Sequence, residues 1–259
     1  MTDNTENIET KNDNKQNSSI VVKMEHLKKS FGNNHVLRDI NLKITKGENL
    51  AILGQSGTGK SVLIKCIVGL DEIDEGNLFL FGRNISEIKS NELSEIQKKI
   101  GFLFQSGALY DSMTVRENLE FPLRRQKGSK KKEKMKLSIE EALENVGLSE
   151  TINKMPSELS GGMRKRLGLA RTLILKPEIM LYDEPTTGLD PITSKEISKL
   201  ILAVQKKYKT TSIIITHDIE CARLTANRCI IIKDGICYAE GSFTDLSNST
   251  DEWIKSFFE

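Results

Sequence analysis

No long apolar run occurs in this sequence. Its hydrophobic stretches are short, such as residues 213–215 and 230–232, whereas a membrane-crossing helix needs roughly 18 or more such residues. They suit buried strands. Four cysteines, Cys66, Cys221, Cys229 and Cys237, include no C-x-x-C pair. That excludes a recognisable zinc site or disulfide frame and fits reduced thiols in a cytoplasmic chain. Charge of one sign is also missing: Lys and Arg total 38 against 36 Asp and Glu, a formal +2. A dedicated nucleic-acid binder tends to carry a basic excess, so no nucleic acid is expected as a partner. Residues 1–19 hold almost no apolar side chain besides Met1 and Ile8, and so have no signal-peptide h-region. They are expected to form a disordered polar tail. Any membrane role would have to come through a separate partner chain.

A chain of 259 residues can bury a real core as one domain, or as a domain with an inserted subdomain. Residues 20–27 and 36–44 alternate apolar and polar side chains about a turn at Asn33 and Asn34, which predicts an opening antiparallel pair. Residues 49–53, 101–104, 178–182, 211–216 and 228–233 are short apolar runs separated by helical patterns. Such alternation is expected of a parallel sheet covered on both faces. Between 105 and 160 the pattern turns helical, most clearly at 114–121 and 137–146, with a basic stretch at 127–136 between them. This predicts a helical subdomain at about 106–165 within a domain of 20–245. The basic stretch reads as a solvated loop or helix face, with anionic lipid headgroups as its alternative contact. Residues 160–175 have helical spacing, stopped by Pro177. A C-terminal helical extension, 246–259, carries Trp253, Phe257 and Phe258, expected to pack on the chain's own core.

Three phosphate-chemistry patterns follow one another along this frame. Gly54, Gln55, Ser56, Gly57, Thr58, Gly59, Lys60 and Ser61 match G-x-x-x-x-G-K-[ST] between a strand pattern and a helical one, with Val62 next in the helix. Glycines there let backbone N–H groups close on phosphates, the lysine reaches the β and γ oxygens, and the serine hydroxyl reaches Mg²⁺. Asp183 and Glu184 follow the apolar strand pattern 178–182, at the sheet edge where open α/β proteins bind ligands. Asp183 would hold Mg²⁺, and Glu184 would be free to activate water. His217 ends a second strand and Gln105 a third, both suited to the same edge. Leu159, Ser160, Gly161, Gly162 and Met163 open a helix that Ser160 can cap, a second anion cradle. One protomer has no evident need for two cradles. A dimer accounts for both if the Ser160 turn of one copy closes over the nucleotide held by Lys60 of the other. The reading is an ATPase with ATP and Mg²⁺; Asn153-Lys154-Met155-Pro156 lacks the aspartate of an N-K-x-D guanine reader.

The ordered set resembles the ATP-binding-cassette (ABC) ATPase domain over nearly all of 20–241. The resemblance implies a P-loop NTPase with a RecA-like core, an antiparallel β subdomain and an inserted helical subdomain. It also implies that Gln105 is a metal-contacting glutamine loop, 159–163 the signature, Gly188-Leu189-Asp190 the D-loop and His217 the switch histidine. Phe31 would stack on adenine, and two copies would sandwich two ATPs head to tail. Met163 departs from the family, which usually has Gln there. Residues 155–163, 103–109 and 190–193 are similar to the MlaF-like ATPases of Mla/Mce-type lipid trafficking. That likeness implies a membrane permease, an Mce-domain protein, a STAS-domain subunit, a phospholipid cargo and attachment to the inner face of the cell membrane. The alternatives are an ABC importer subunit for another small cargo and a soluble ABC protein acting on ribosomes or DNA.

Overall fold

The computed structural model describes residues 20–125 and 132–258. The expected tail at 1–19 and residues 127–131 of the basic stretch lie outside the described residues. In chain order the strands and helices are β1 (Ile20–Phe31), β2 (Asn34–Thr45), β3 (Asn49–Leu53), α1 (Lys60–Val68), β4 (Glu75–Leu80), β5 (Arg83–Asn84), α2 (Ser90–Gln97) and β6 (Ile100–Leu103). Then come α3 (Val115–Arg124), α4 (Lys132–Asn145), α5 (Gly161–Leu173), β7 (Ile179–Asp183), α6 (Pro191–Tyr208) and β8 (Thr211–Ile215). The chain continues through α7 (Ile219–Thr225), β9 (Arg228–Lys233), β10 (Ile236–Gly241), α8 (Phe243–Ser247) and α9 (Glu252–Lys255).

Among the described residues, ten strands join one sheet in the order β5-β4-β1-β2-β10-β9-β3-β8-β7-β6. From β9 to β6 the neighbours run parallel. Period-two geometry explains why these strands are apolar throughout. In β3, Leu50 and Ile52 point to a core layer with Leu63, Ile64 and Ile67 of α1, while Ala51 and Leu53 point to the other face with Ala222, Ile231 and Ile254.

At the other edge, β1 pairs with β2 and β4, and β4 with β5, all antiparallel. The β1–β2 turn is Gly32-Asn33, one residue earlier than expected, and Phe31 faces Asn34 across it. Gly32 at φ +59 takes the left-handed backbone that the reversal needs, which a glycine adopts without steric cost. Sequence reading missed β4, β5 and β10: β5 has two residues, and β10 is partly exposed with no strong apolar alternation. Yet β10 joins the two halves, antiparallel to β9 and parallel to β2 through Ile236 and Asp39.

Helices α3, α4 and α5 pack around Val115, Leu119, Leu123, Ile139, Leu143 and Leu167, sharing a core with Met180 and Tyr182 of β7. Residues 132–136 of the basic stretch open α4. Trp253, Phe257 and Phe258 pack against the layer of Leu53, Ile231 and Ile254.

Candidate active site

Between β3 and α1 the chain must reverse from strand to helix in six residues, and glycine makes that path possible. A Cβ on Gly54 would stand 2.7 Å from the Ile232 carbonyl oxygen, and one on Gly59 would stand 2.8 Å from Leu37 Cδ2. Gly59, at φ +96, is also the N-cap of α1, so the first amides of that helix carry no side-chain cap. They are free to meet an anion. Lys60 begins the helix, is only 7% exposed, and its Nζ donates to the carbonyls of Gly54 at 2.8 Å and Gln55 at 2.9 Å. Burial lowers its pKa, with Glu184 and Asp183 opposing. A buried cation satisfied only by two neutral carbonyls retains an electrostatic deficit that phosphate oxygens would meet.

The parallel strands deliver the carboxylates. Ser61 Oγ donates to Asp183 Oδ1 at 3.2 Å, joining α1 to the end of β7. Burial pushes the Asp183 carboxyl up, against the Ser61 hydrogen bond, while the Glu184 charge raises it further. Glu184 follows in a left-handed backbone, φ +49, a conformation that costs a non-glycine residue of order 1–3 kcal/mol. Its N–H donates to the Ile215 carbonyl at 2.9 Å. Its carboxylate, 14% exposed, lies 2.8 Å from His217 Nδ1 and also accepts from Thr187 Oγ1 and the His217 N–H, each at 3.3 Å. Asp218, the N-cap of α7, accepts from Thr186 Oγ1 at 2.8 Å, so the His217 turn is tied to the turn after Glu184.

A cleft of about 450 Å³ is lined by Phe31, Ser56, Gly57, Lys60, Ser61, Gln105, Glu184 and His217, among others, while Asp183 lies behind Ser61 and not in its lining. Phe31 stands at its rim, half exposed. The donor set fits Mg²⁺ with a nucleotide: a hydroxyl beside a carboxylate, both hard oxygens, below a phosphate loop. Among the described residues no cluster of three or more His, Cys, Asp or Glu could hold a metal ion. Ser160, Gly161 and Gly162 do not line this cleft. They form the start of α5, where Ser160 Oγ accepts from the Met163 N–H at 3.2 Å.

One participant escaped sequence reading. Lys165, on α5 and 7% exposed, donates to the carbonyls of Gln105 and, at 3.3 Å, Glu184. It stood among Arg164, Arg166 and Arg171, and nothing local separates a buried lysine from a solvated one.

A family model described as ABC transporter matches residues 37–187. The probable ribonucleotide transport ATP-binding protein mkl of Mycobacterium leprae is 42% identical over 204 residues, which cover 79% of this chain and 58% of that protein. The chain thus spans little more than half the length of this relative. The methionine import ATP-binding protein MetN of Clostridium acetobutylicum is 37% identical over 226 residues, covering 87% of this chain and 70% of that one. Among solved structures, cbiO1 from Clostridium perfringens, part of the ABC transporter complex cbiONQ, superposes with a TM-score of 0.83 at 28% identity, over 93% of this chain and 96% of that one. The ATP-binding cassette MJ0796, a dimer in a post-hydrolysis state bound to ADP and Pi, gives 0.78 at 34% identity, over 86% and 98%.

Proposed function

The chain belongs to the ABC transporter family and has its ATPase fold, and from that premise we propose that it is the ATP-binding and hydrolysing subunit of a membrane transporter. The observation that carries this reading is the Glu184 carboxylate, 2.8 Å from His217 Nδ1 and facing the cleft that Lys60 and Ser61 line. Lys60 and the loop amides would hold the β and γ phosphates, and Phe31 would stack on the base. Glu184 would accept the proton of the attacking water, worth roughly 10²–10⁴-fold for a positioned base. His217 would orient that carboxylate and the γ-phosphoryl group. Mg²⁺, held by Ser61, Asp183 and Gln105, would supply the positive charge that offsets charge developing on the transferred phosphoryl group.

The Ser160 corner lies outside its own protomer's cleft, which supports the two-copy arrangement in which it closes over the partner's nucleotide. Closure on ATP and reopening after hydrolysis would move a permease docked near Gln105 and the helical insert. The chain would then sit on the cytoplasmic face of the membrane; among the described residues no helix is long and apolar enough to cross one.

For cargo, the likeness of 155–163, 103–109 and 190–193 to MlaF-like ATPases supports a phospholipid, with an Mce-domain protein and a STAS-domain subunit as further partners. A second reading, import of another small solute, is favoured by the ribonucleotide and methionine named for the relatives. Copurifying the permease and identifying bound lipid separates the two. For the site itself, Glu184→Gln should cut hydrolysis about 10²–10⁴-fold while retaining ATP and accumulating a dimer on a sizing column. Parental turnover in that variant would remove Glu184 from the role.

A further inference from the structure

Helix α5 is seated on the segment that carries Gln105, residue against residue. Lys165 donates to the Gln105 carbonyl. One turn on, a Cβ added to Gly168 would lie 3.0 Å from the Gly107 carbonyl oxygen. Arg171 donates to the Ala108 carbonyl, and a Cβ on Gly101 would meet Thr172 Cγ2 at 2.6 Å. Positions 165, 168 and 172 share one helical face, so the helix opening at Ser160 and the strand-to-loop segment ending at Gln105 form one packed body. Lys165 also reaches the residue that follows β7, donating to the Glu184 carbonyl at 3.3 Å.

We propose that Lys165 is a positioning residue for hydrolysis: its ammonium fixes the backbone of Glu184 and of Gln105 to the helix that carries the Ser160 corner. Packing does not explain the choice of lysine. Both hydrogen-bond acceptors are neutral carbonyls, and burial lowers the pKa of Lys165 while the Glu184 and Asp183 charges oppose that; an ammonium kept in such a place is an expensive way merely to fill space. The geometry it sustains is itself strained. Glu184 sits at φ +49, and a carbonyl anchored by a charged donor opposes relaxation toward ordinary backbone. The consequence is a link among three groups that strand order alone does not provide, so that the water-activating carboxylate and the Mg²⁺-contacting Gln105 shift together with the corner facing the other copy. The inference rests on the roles proposed for Glu184 in hydrolysis and for Gln105 at Mg²⁺.

The test compares Lys165→Met, Lys165→Arg and Glu184→Gln with the parent, each as the full chain, measuring MgATP turnover, binding of a fluorescent ATP analogue, and thermal melting. Lys165→Met leaves the carbonyls of Gln105 and Glu184 without their donor, so it should melt modestly below the parent but stay folded at the assay temperature, and lose about ten- to hundredfold in kcat, as expected of a misplaced catalytic group. Its nucleotide affinity should stay within about threefold, the pattern of an interaction that serves the transition state rather than binding. Lys165→Arg, which keeps donors for both carbonyls, should recover most of the loss. If Glu184→Gln is inactive but Lys165→Met turns over within about twofold of the parent, the hydrolytic reading stands and the role of Lys165 is overturned. Affinity falling in step with kcat, or an arginine variant that folds but is as slow as the methionine one, also overturns it. If Glu184→Gln itself matches the parent, the underlying reading fails instead.

Discussion

Phe31 shows how far a single side chain can be read without its surroundings. An aromatic near a strand end is by default core, yet Phe31 is half exposed at the cleft rim, with Lys29 Nζ 5.3 Å from its ring centre. A ring in that place has a face free for a base, so Phe31→Ala should weaken ATP binding about three- to tenfold, the value of one aromatic stacking contact of roughly 0.5–1.5 kcal/mol. Phe31→Tyr should bind like the parent. Titration with a fluorescent ATP analogue reads both, and an unchanged affinity in the alanine variant would remove Phe31 from the base site. Lys60, Ser61, Asp183 and Glu184 were legible as candidates because loop, strand end and residue type coincide locally. Lys165 was not, since only tertiary burial distinguishes it from its basic neighbours.

Helix α3 begins with a capping box: Thr114 Oγ1 accepts from the Glu117 N–H at 3.2 Å, and Glu117 Oε2 accepts from the Thr114 N–H at 2.8 Å. Those hydrogen bonds from Thr114, backbone first, hold the Glu117 carboxyl below its ordinary range. A depressed folded-state pKa means stability that is fully present above the unfolded value, about 4.3, and is lost as pH falls through the lower folded value. Glu117→Gln should therefore melt below the parent at pH 7, and the gap should close as pH drops under about 4. A gap that is the same at pH 7 and pH 3 would mean the carboxylate charge contributes nothing to the cap. Elements with strong apolar patterns, β3, β7, β8 and β9, were legible for the reason α3 was: their signal lies within a few residues. β4 and β10 carry little of their own and exist through their neighbours, β4 by pairing with β1 and β10 by bridging β9 and β2.

In the molecule as a whole, the chain's end is part of its core. Ile254 is 7% exposed and Trp253, Phe257 and Phe258 pack beside it on the outer layer of the sheet. Ending the chain after Thr250 removes all four side chains, and truncating one buried isoleucine alone costs about 2–5 kcal/mol. The shortened chain should lose at least about 3 kcal/mol, roughly 6–12 °C of melting temperature for a chain of this size. Its ATP-loaded form, in the Glu184→Gln background, should still weigh as two copies of the shortened chain. A dimer lost without a fall in melting temperature would instead assign these aromatics to the contact between copies.

Residue order by itself was enough to mark the glycine-bearing turn before α1, the strand-end carboxylates and an α/β layering, because each depends on side chains within a turn or a strand of one another. Packing was needed for the rest: the left-handed Glu184 against His217, the buried ammonium of Lys165, and β10 joining the two halves of the sheet. Each of these is set by groups from distant segments, 33 residues apart for Glu184 and His217 and 60 for Lys165 and Gln105. Burial and backbone strain are properties of such meetings, and no local pattern encodes them.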